Sequence, residues 1–254
     1  MLSSTLLATM ASIASASSVV DSAMRPMYNT LAQHCMSKFK TISAADGPPY
    51  WVGIGGGPGS GKSTLAEAVA KLVNDDASEE ICVVLPMDGF HYSREKLREL
   101  DPPSAAEYLP RRGAPWTFDA EGCYECFSAA KSQGEAVLPT YSRELSDPVP
   151  GGVQLEQKHK IVLCEGNYLL MKHDPRWAPL DDLWDERWFI RCADADAQRT
   201  RLIYRHLETW NDEKSERWGK GEVGAAARAD ANDVLNMGLI APCEEVADRV
   251  IVSE

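Results

Sequence analysis

The sequence predicts an α/β domain, and three observations carry that expectation. The apolar run Tyr50-Trp51-Val52-Gly53-Ile54 leads into a glycine-rich loop and then a stretch with helical spacing. Apolar runs of strand character recur at 81–85, 160–164 and 188–192, and acids follow two of them closely. Segments with the 3.6-residue period of amphipathic helices lie between and after them, at 64–73, 119–133 and 194–210. A length of 254 residues allows one such domain with a sizeable core, or at most two small ones.

The first twenty residues are rich in Ala, Ser and Thr and lack both the basic start and the continuous apolar centre of a secretory signal. The first arginine is Arg25, so an Arg-rich presequence is not evident, and the run is too polar to span a bilayer. The expectation is a disordered or weakly helical tail, with an organelle-targeting role as the alternative. Met27, Leu31, Cys35 and Phe39 recur every four residues and predict a helix over 27–39, which Asp46-Gly47-Pro48-Pro49 ends. Residues 1–45 are therefore read as tail and helix, and 46–254 as the main domain.

Gly56-Gly57-Pro58-Gly59-Ser60-Gly61-Lys62-Ser63 fits G-x-x-x-x-G-K-[ST] at every fixed position. Glycines permit positive φ and keep side chains out of the way, so successive N–H groups can point at a polyphosphate. The helix that follows, beginning near Thr64, adds its unpaired first-turn donors and the positive end of its dipole. Lys62 is expected at the β and γ phosphates of a nucleotide, and the Ser63 hydroxyl on Mg²⁺. The bland alternative is a glycine-rich turn that binds nothing.

Past the first helix, Ile81-Cys82-Val83-Val84-Leu85 reads as a second buried strand that ends in Met87-Asp88-Gly89-Phe90-His91. A carboxylate and an imidazole at that strand end lie where open α/β sheets bind ligands. Asp88 is a catalytic candidate, with a turn or cap role as its alternative; His91 is either a contact residue or a satisfied histidine. The proline-rich stretch 100–118 holds Arg111-Arg112, either an anion clamp or solvated charge, and Trp116 and Phe118, either a platform or an anchor. Through Val137–Arg143 and the turn-rich 147–152 the chain departs from simple alternation. An insertion over about 100–157 that builds an acceptor pocket is expected.

Ile161-Val162-Leu163-Cys164-Glu165 is a strand that delivers an acid, and such an acid can hold a Mg²⁺ shell. In the helix 194–210 Leu202, Ile203, Leu207 and Trp210 share one side, with Arg201 and Arg205 one turn apart opposite. Like charges at that spacing repel mildly, so a γ-phosphate, or Glu208, is expected to reward the pair. Residues 211–224 read as a mobile lid segment, the lid as a whole spanning about 199–238. Asn232, Asp233 and Asn236 gather in the next helix, and 248–252 reads as a last strand.

The net charge is −12 and the pI about 4.9, which argues against general nucleic-acid binding or docking on anionic membrane. Any polyanion site must then be locally basic. Seven cysteines at irregular spacing, with no second pair to complete a zinc site around Cys123-Tyr124-Glu125-Cys126, read as reduced thiols, with redox or metal as the alternative. A cytoplasmic location, as monomer or homodimer, is expected.

From about residue 50 onward the chain resembles the uridine kinase, phosphoribulokinase and pantothenate kinase family of P-loop kinases. The stretches that carry the resemblance are GGPGSGKST (56–64), MDGFH (87–91), GAPWTFD (113–119), PTYSRELSDPVP (139–150), EGNYLL (165–170) and the arginine-bearing segment 199–205. The resemblance implies a three-layer P-loop NTPase fold, with a mostly parallel, doubly wound sheet, helices on both faces and a small lid. It further implies ATP- and Mg²⁺-dependent phosphorylation of an alcohol on a small molecule. By position Asp88 matches the proposed base, Glu165 the strand-end acid near Mg²⁺, and Arg201 or Arg205 the lid arginine. Tyr141 and Arg143 fall where the family often contacts acceptor or nucleotide. Tyr141-Ser142-Arg143 departs from the Tyr-Asp-Phe of uridine kinases and resembles the pantothenate kinase version. An ATP-hydrolysing switch or scaffold without an acceptor is the alternative reading; a GTPase lacks its Asn-Lys-x-Asp motif.

Overall fold

A computed structural model of the chain describes residues 4–100, 108–142 and 144–253, with side chains from residue 22 onward. Arg143 lies outside the described residues.

The chain opens with helix α1 (Ser4–Ala45), then β1 (Tyr50–Gly55), α2 (Lys62–Ala77), β2 (Cys82–Pro86) and a 3₁₀ turn, Met87–Phe90. The short α3 (Arg94–Leu100) and the longer α4 (Ala120–Gln133) follow. Strands β3 (Ala136–Ser142) and β4 (Asp147–Leu155) pair antiparallel, apart from the main sheet. Then come β5 (Ile161–Glu165), β6 (Glu186–Cys192), α5 (Ala195–Glu208), α6 (Asp212–Trp218) and α7 (Gly221–Arg228). A π-helical turn, Ala229–Asp233, leads into α8 (Val234–Ile240), and β7 (Arg249–Ser253) closes the sheet.

The main sheet is parallel throughout, in the order β2-β5-β1-β6-β7. After β1 the chain fills one side with β2 and β5, then crosses to the other with β6 and β7. The carboxyl end of β1 is therefore the topological switch point, where such sheets leave a crevice. Register places Glu165 beside both Ile54 and Pro86, so β5 delivers its acid between the glycine loop and the turn that carries Asp88.

Alternation along each strand sorts two cores. Val52, Ile54, Ile161, Leu163, Trp188 and Ile190 face α2 and α1. Trp51, Val162, Cys164 and Phe189 face α4 and the 168–184 segment. Gly53 and Gly55 also have a reason: a β-carbon would lie 2.7 Å from the Trp184 ring or 2.9 Å from the Leu170 side chain. The sheet is thus covered on both faces, the doubly wound architecture that the resemblance implies.

Two expectations need correction. The helix expected over 27–39 belongs to one helix running from residue 4 to 45, with Pro26 inside it; no glycine interrupts residues 1–45. Its buried stripe is Met24, Tyr28, Leu31, Ala32, Cys35 and Met36, whereas Met27 is exposed. A strict step of four drifts off a helix face, and 24, 28, 31, 35 keep the 3.6 period. The segment 211–224, expected as a lid, is built of α6 and the start of α7, with Asn211 capping α6 by accepting from the Lys214 N–H at 3.0 Å. Of these, α7 joins α5 around a small core of Leu202, Ile203, Ala225 and Ala229, against which Met237 of α8 packs. Among the described residues no helix is long and apolar enough to cross a membrane.

Candidate active site

The glycine loop leaves β1 and re-enters helix with Gly59 at φ 77° and Gly61 at φ 94°, conformations that a side chain resists. Gly56 is bound by space instead: a β-carbon there would sit 2.4 Å from the Ile190 carbonyl oxygen. Gly61 caps α2 without any side-chain bond, so the N–H groups of Lys62, Ser63 and Thr64 have no intrahelical acceptor. Loop and helix end are thereby built to receive an anion. Gln198 of α5 donates to the Pro58 carbonyl at 2.8 Å, and Leu202 and Met237 press on Gly59 and Gly57, so the α5–α8 unit sits directly against the loop. Sequence reasoning missed this contact, because Gln198 has no pattern of its own.

Four charges meet at the mouth of the loop. Burial pushes the Lys62 ammonium below the usual lysine range; the Glu165 and Asp88 carboxylates oppose that shift, and the Arg205 guanidinium reinforces it. Burial likewise pushes the Glu165 carboxyl up to about 6, against the pull of Lys62 and of the nearby Ser63 hydroxyl, while Asp88 adds to the rise. The Ser63 hydroxyl and Glu165 carboxylate are hard oxygen donors side by side, a pair that fits Mg²⁺. Among the described residues no group of three His, Cys, Asp or Glu can hold a metal by itself. Ser63 and Glu165 would hold a divalent ion there only together with phosphate oxygens and water, as Mg²⁺ is commonly held in nucleotide sites.

Asp88 is exposed on the 3₁₀ turn after β2, and its carbonyl lies 2.8 Å from His91 Nδ1. A carbonyl only accepts, so Nδ1 carries the hydrogen and Nε2 is the free acceptor of a neutral ring. Burial pushes the His91 imidazole down, with the Asp88 charge opposing. The ring stacks between Phe118 at 3.8 Å and Tyr141 at 4.7 Å between centroids, and the Arg112 guanidinium lies 5.7 Å from the Tyr141 ring. Phe118, His91, Tyr141 and Arg112 thus form a continuous stack beside Asp88. Arg112 donates to Asp147 at 2.7 Å, so it is neither solvated nor free, and its Nε is buried without a partner. Phe118 is buried and anchors its loop, whose Asp119 N–H donates to the Phe90 carbonyl at 2.8 Å. Arg111 is bound by Asn232 at 3.2 Å and Asn236 at 3.1 Å, which makes it a latch to the lid rather than an anion clamp.

On the lid, Arg205 lies 3.8 Å from Asp233, whose other oxygen is 2.7 Å from His206 Nε2. Arg205 is the lid arginine whose charge reaches Lys62; Arg201 is half-buried one turn earlier. Arg228, in the last turn of α7, was missed by sequence reasoning. It is half-buried, and its charge acts on Asp233, Tyr141 and Arg205. All seven cysteines are free thiols, and burial raises those of Cys123 and Cys126.

No protein-family model matches the chain. A Schizosaccharomyces pombe protein described as a "putative uridine kinase" is 37% identical over 191 residues, covering 74% of this chain and 77% of that protein. The crystal structure of a "putative fructose transport system kinase" from Silicibacter sp. TM1040 superposes with a TM-score of 0.68 at 30% identity, over 87% of this chain and 98% of that one. YFH7 of Saccharomyces cerevisiae, described as a P-loop-containing kinase, superposes with a TM-score of 0.70 over 89% and 98% of the two chains; at 20% identity this is likeness of fold. Strand order, loop geometry and these relatives agree: the chain belongs to the uridine kinase-like family of P-loop kinases, ATP-binding phosphotransferases that act on small molecules.

Proposed function

We propose that this chain transfers the γ-phosphoryl group of ATP, with Mg²⁺, to a hydroxyl of a small metabolite of nucleoside, sugar or pantothenate-like type. The observation that carries the reading is the register that sets Glu165 between the glycine loop after β1 and the Asp88 turn after β2, with Gln198 of α5 bonded to that loop. Lys62 and the amides of Gly56–Thr64 hold the phosphates and absorb their charge. Asp88 takes the proton of the acceptor hydroxyl as its oxygen bonds to the γ-phosphorus, and ADP departs with the bridging oxygen. Ser63 and Glu165 would hold Mg²⁺, which when bound would supply charge neutralisation at the phosphates. Arg205, with Arg201 behind it, stabilises the group in transfer. His91, Arg112, Tyr141 and Arg143 are assigned to the acceptor side.

The stack beside Asp88 favours this over a switch ATPase, which needs no acceptor wall. Lys62→Ala is expected to abolish turnover. Asp88→Asn is expected to lower kcat by about 10²–10⁴ while leaving ATP affinity near that of the parent. Coupled ADP release against a panel of alcohols measures both. Near-parental kcat for Asp88→Asn would remove it as the base, and slow ADP release indifferent to every acceptor would favour the switch.

A further inference from the structure

The glycine loop is held from outside at two of its carbonyls. Gln198 of α5 donates through Nε2 to the Pro58 carbonyl at 2.8 Å, and the Ser253 hydroxyl of β7 donates to the Ser60 carbonyl at 2.9 Å. Both donors are buried. A trans peptide unit is planar, and its C=O and the following N–H point in opposite directions. Holding the Pro58 carbonyl toward α5 therefore turns the Gly59 N–H away from α5. Holding the Ser60 carbonyl toward Ser253 turns the Gly61 N–H away from that strand. Neither N–H has an acceptor among the described residues. Between them the Ser60 N–H is taken by the Gly57 carbonyl at 3.2 Å, and Pro58 has no N–H to offer. Gly59 and Gly61 sit at φ 77° and 94°, and glycine does not by itself hold a peptide plane in one orientation. The orientation is set by the two side chains that grip the carbonyls.

We propose that Gln198 and Ser253 are positioning residues of the nucleotide site, each fixing one peptide plane so that the Gly59 and Gly61 N–H groups stay turned to the phosphates. The inference rests on the reading of residues 56–64 as the holder of a nucleotide's phosphates, and it adds two residues that lie outside the motif. Donors aimed in advance need no reorganisation when an anion arrives. A plane released from its grip can rotate and present a carbonyl oxygen to the phosphate in place of an N–H, which loses a charge-assisted bond and adds a repulsion. Gln198 has a second consequence. It stands seven residues before Arg205, two turns away on the same face of α5, so its loss also loosens the seat of the helix that carries the lid arginine. Ser253 belongs to the sheet and is the cleaner probe.

Inorganic tripolyphosphate and the non-hydrolysable analogue AMP-PNP, each with Mg²⁺, are titrated by calorimetry into the full chain and into Gln198→Met, Ser253→Ala and Ser253→Thr. Methionine keeps the length of Gln198 without its donor, and threonine keeps the hydroxyl of Ser253. Both probes are expected to bind about three- to tenfold more weakly to Gln198→Met and Ser253→Ala, and near the parental affinity to Ser253→Thr. In the ¹⁵N-labelled chain at saturating tripolyphosphate, the Gly59 and Gly61 amide resonances of the parent shift. Gln198→Met is expected to diminish the Gly59 shift and Ser253→Ala the Gly61 shift, each with little effect on the other. A role in packing alone lowers the unfolding temperature of the variants but leaves the affinities and both amide shifts as in the parent, and that result overturns the proposal. Equal losses in Ser253→Ala and Ser253→Thr overturn it for Ser253. Ser253→Ala removes a single oxygen, and it decides the matter should Gln198→Met not fold. A parent that binds neither probe refutes the phosphate reading of the loop, and the positioning role with it. A parent that binds both, with variants that bind them equally well, refutes the positioning role alone.

Discussion

Gly89 controls where Asp88 can be. A β-carbon at residue 89 would lie 2.2 Å from the Pro139 carbonyl oxygen and 2.4 Å from its carbon, which are backbone atoms with no rotamer to yield. The turn after β2 can approach the β3–β4 hairpin this closely only with glycine. Gly89→Ala must push the hairpin, and Tyr141 with it, away from the acid. Its expected cost is about 1–3 kcal/mol of stability, the usual range for overpacking. On activity, KM for the acceptor should rise while AMP-PNP affinity stays near parental; equal losses of both would mean that the turn does not set the acceptor wall. The residues of the loop were legible because their chemistry is local: Gly56 to Ser63 state the motif without reference to the rest of the chain. Asp88 and Glu165 were legible as acids ending apolar runs. Arg228 was not, because its partial burial is a tertiary property. The signal it did carry is modest: it is the long charged side chain in the small-residue run Gly224-Ala225-Ala226-Ala227-Arg228-Ala229.

Among the elements, the π-helical turn between α7 and α8 does the positioning. One extra residue in the turn re-aims the side chains around it, which is why such turns concentrate at functional sites. Here Asp233 meets His206 and Arg205, while Asn232 and Asn236 reach the 111–113 loop. Asn232 donates to the Arg112 carbonyl at 2.6 Å and Asn236 to the Gly113 carbonyl at 3.1 Å. Asn236 is buried, so Asn236→Ala removes an acceptor from Arg111 and a donor to the Gly113 carbonyl. A loss of about 1–3 kcal/mol is expected in urea denaturation, with weaker acceptor binding as the loop that carries Arg112 loosens. An unchanged urea midpoint would show that the latch contributes nothing. The sequence marked Asn232, Asp233 and Asn236 as neighbours on a helix, but a straight α-helix does not reveal which of them turn to the loop. It also missed α6 and the start of α7, which are about two turns long each and separated by Gly219 and Lys220; at that length periodicity carries little signal.

At the scale of the whole molecule, the sheet has a catalytic edge and a structural edge, and α1 belongs to the second. Glu186 opens β6 at the amino end of the sheet, away from the loop. Its carboxylate takes hydrogen bonds from Tyr50 at 2.7 Å and His34 at 2.6 Å, and it pairs with Arg249 of β7. Four elements are tied at one point, and through His34 the first helix is fastened to the sheet. The sequence resembled its family only from about residue 50, so nothing in the motifs announced this clasp; it depends on residues 34, 50, 186 and 249, which share no local pattern. Burial tends to raise the Glu186 carboxyl, but the bonds from Tyr50, His34 and Arg249 outweigh it and hold the group at about 2, below its ordinary 4.5. The sign follows from that depression. The folded chain binds the proton less readily than the unfolded chain, so the stabilisation is complete above the ordinary carboxylate value. It is lost as pH falls from about 4.5 toward about 2. At pH 7 Glu186→Gln leaves Arg249, itself 39% exposed, without its carboxylate, and a loss of about 1–3 kcal/mol is expected. Thermal unfolding of the parent and Glu186→Gln from pH 7 down to pH 2.5 gives the check. The gap in Tm should be widest near neutrality and shrink steadily below about pH 4.5 as the parent carboxylate takes up its proton. A gap that stays constant to pH 2.5 would mean that the clasp works by shape and hydrogen bonding alone, without the charge.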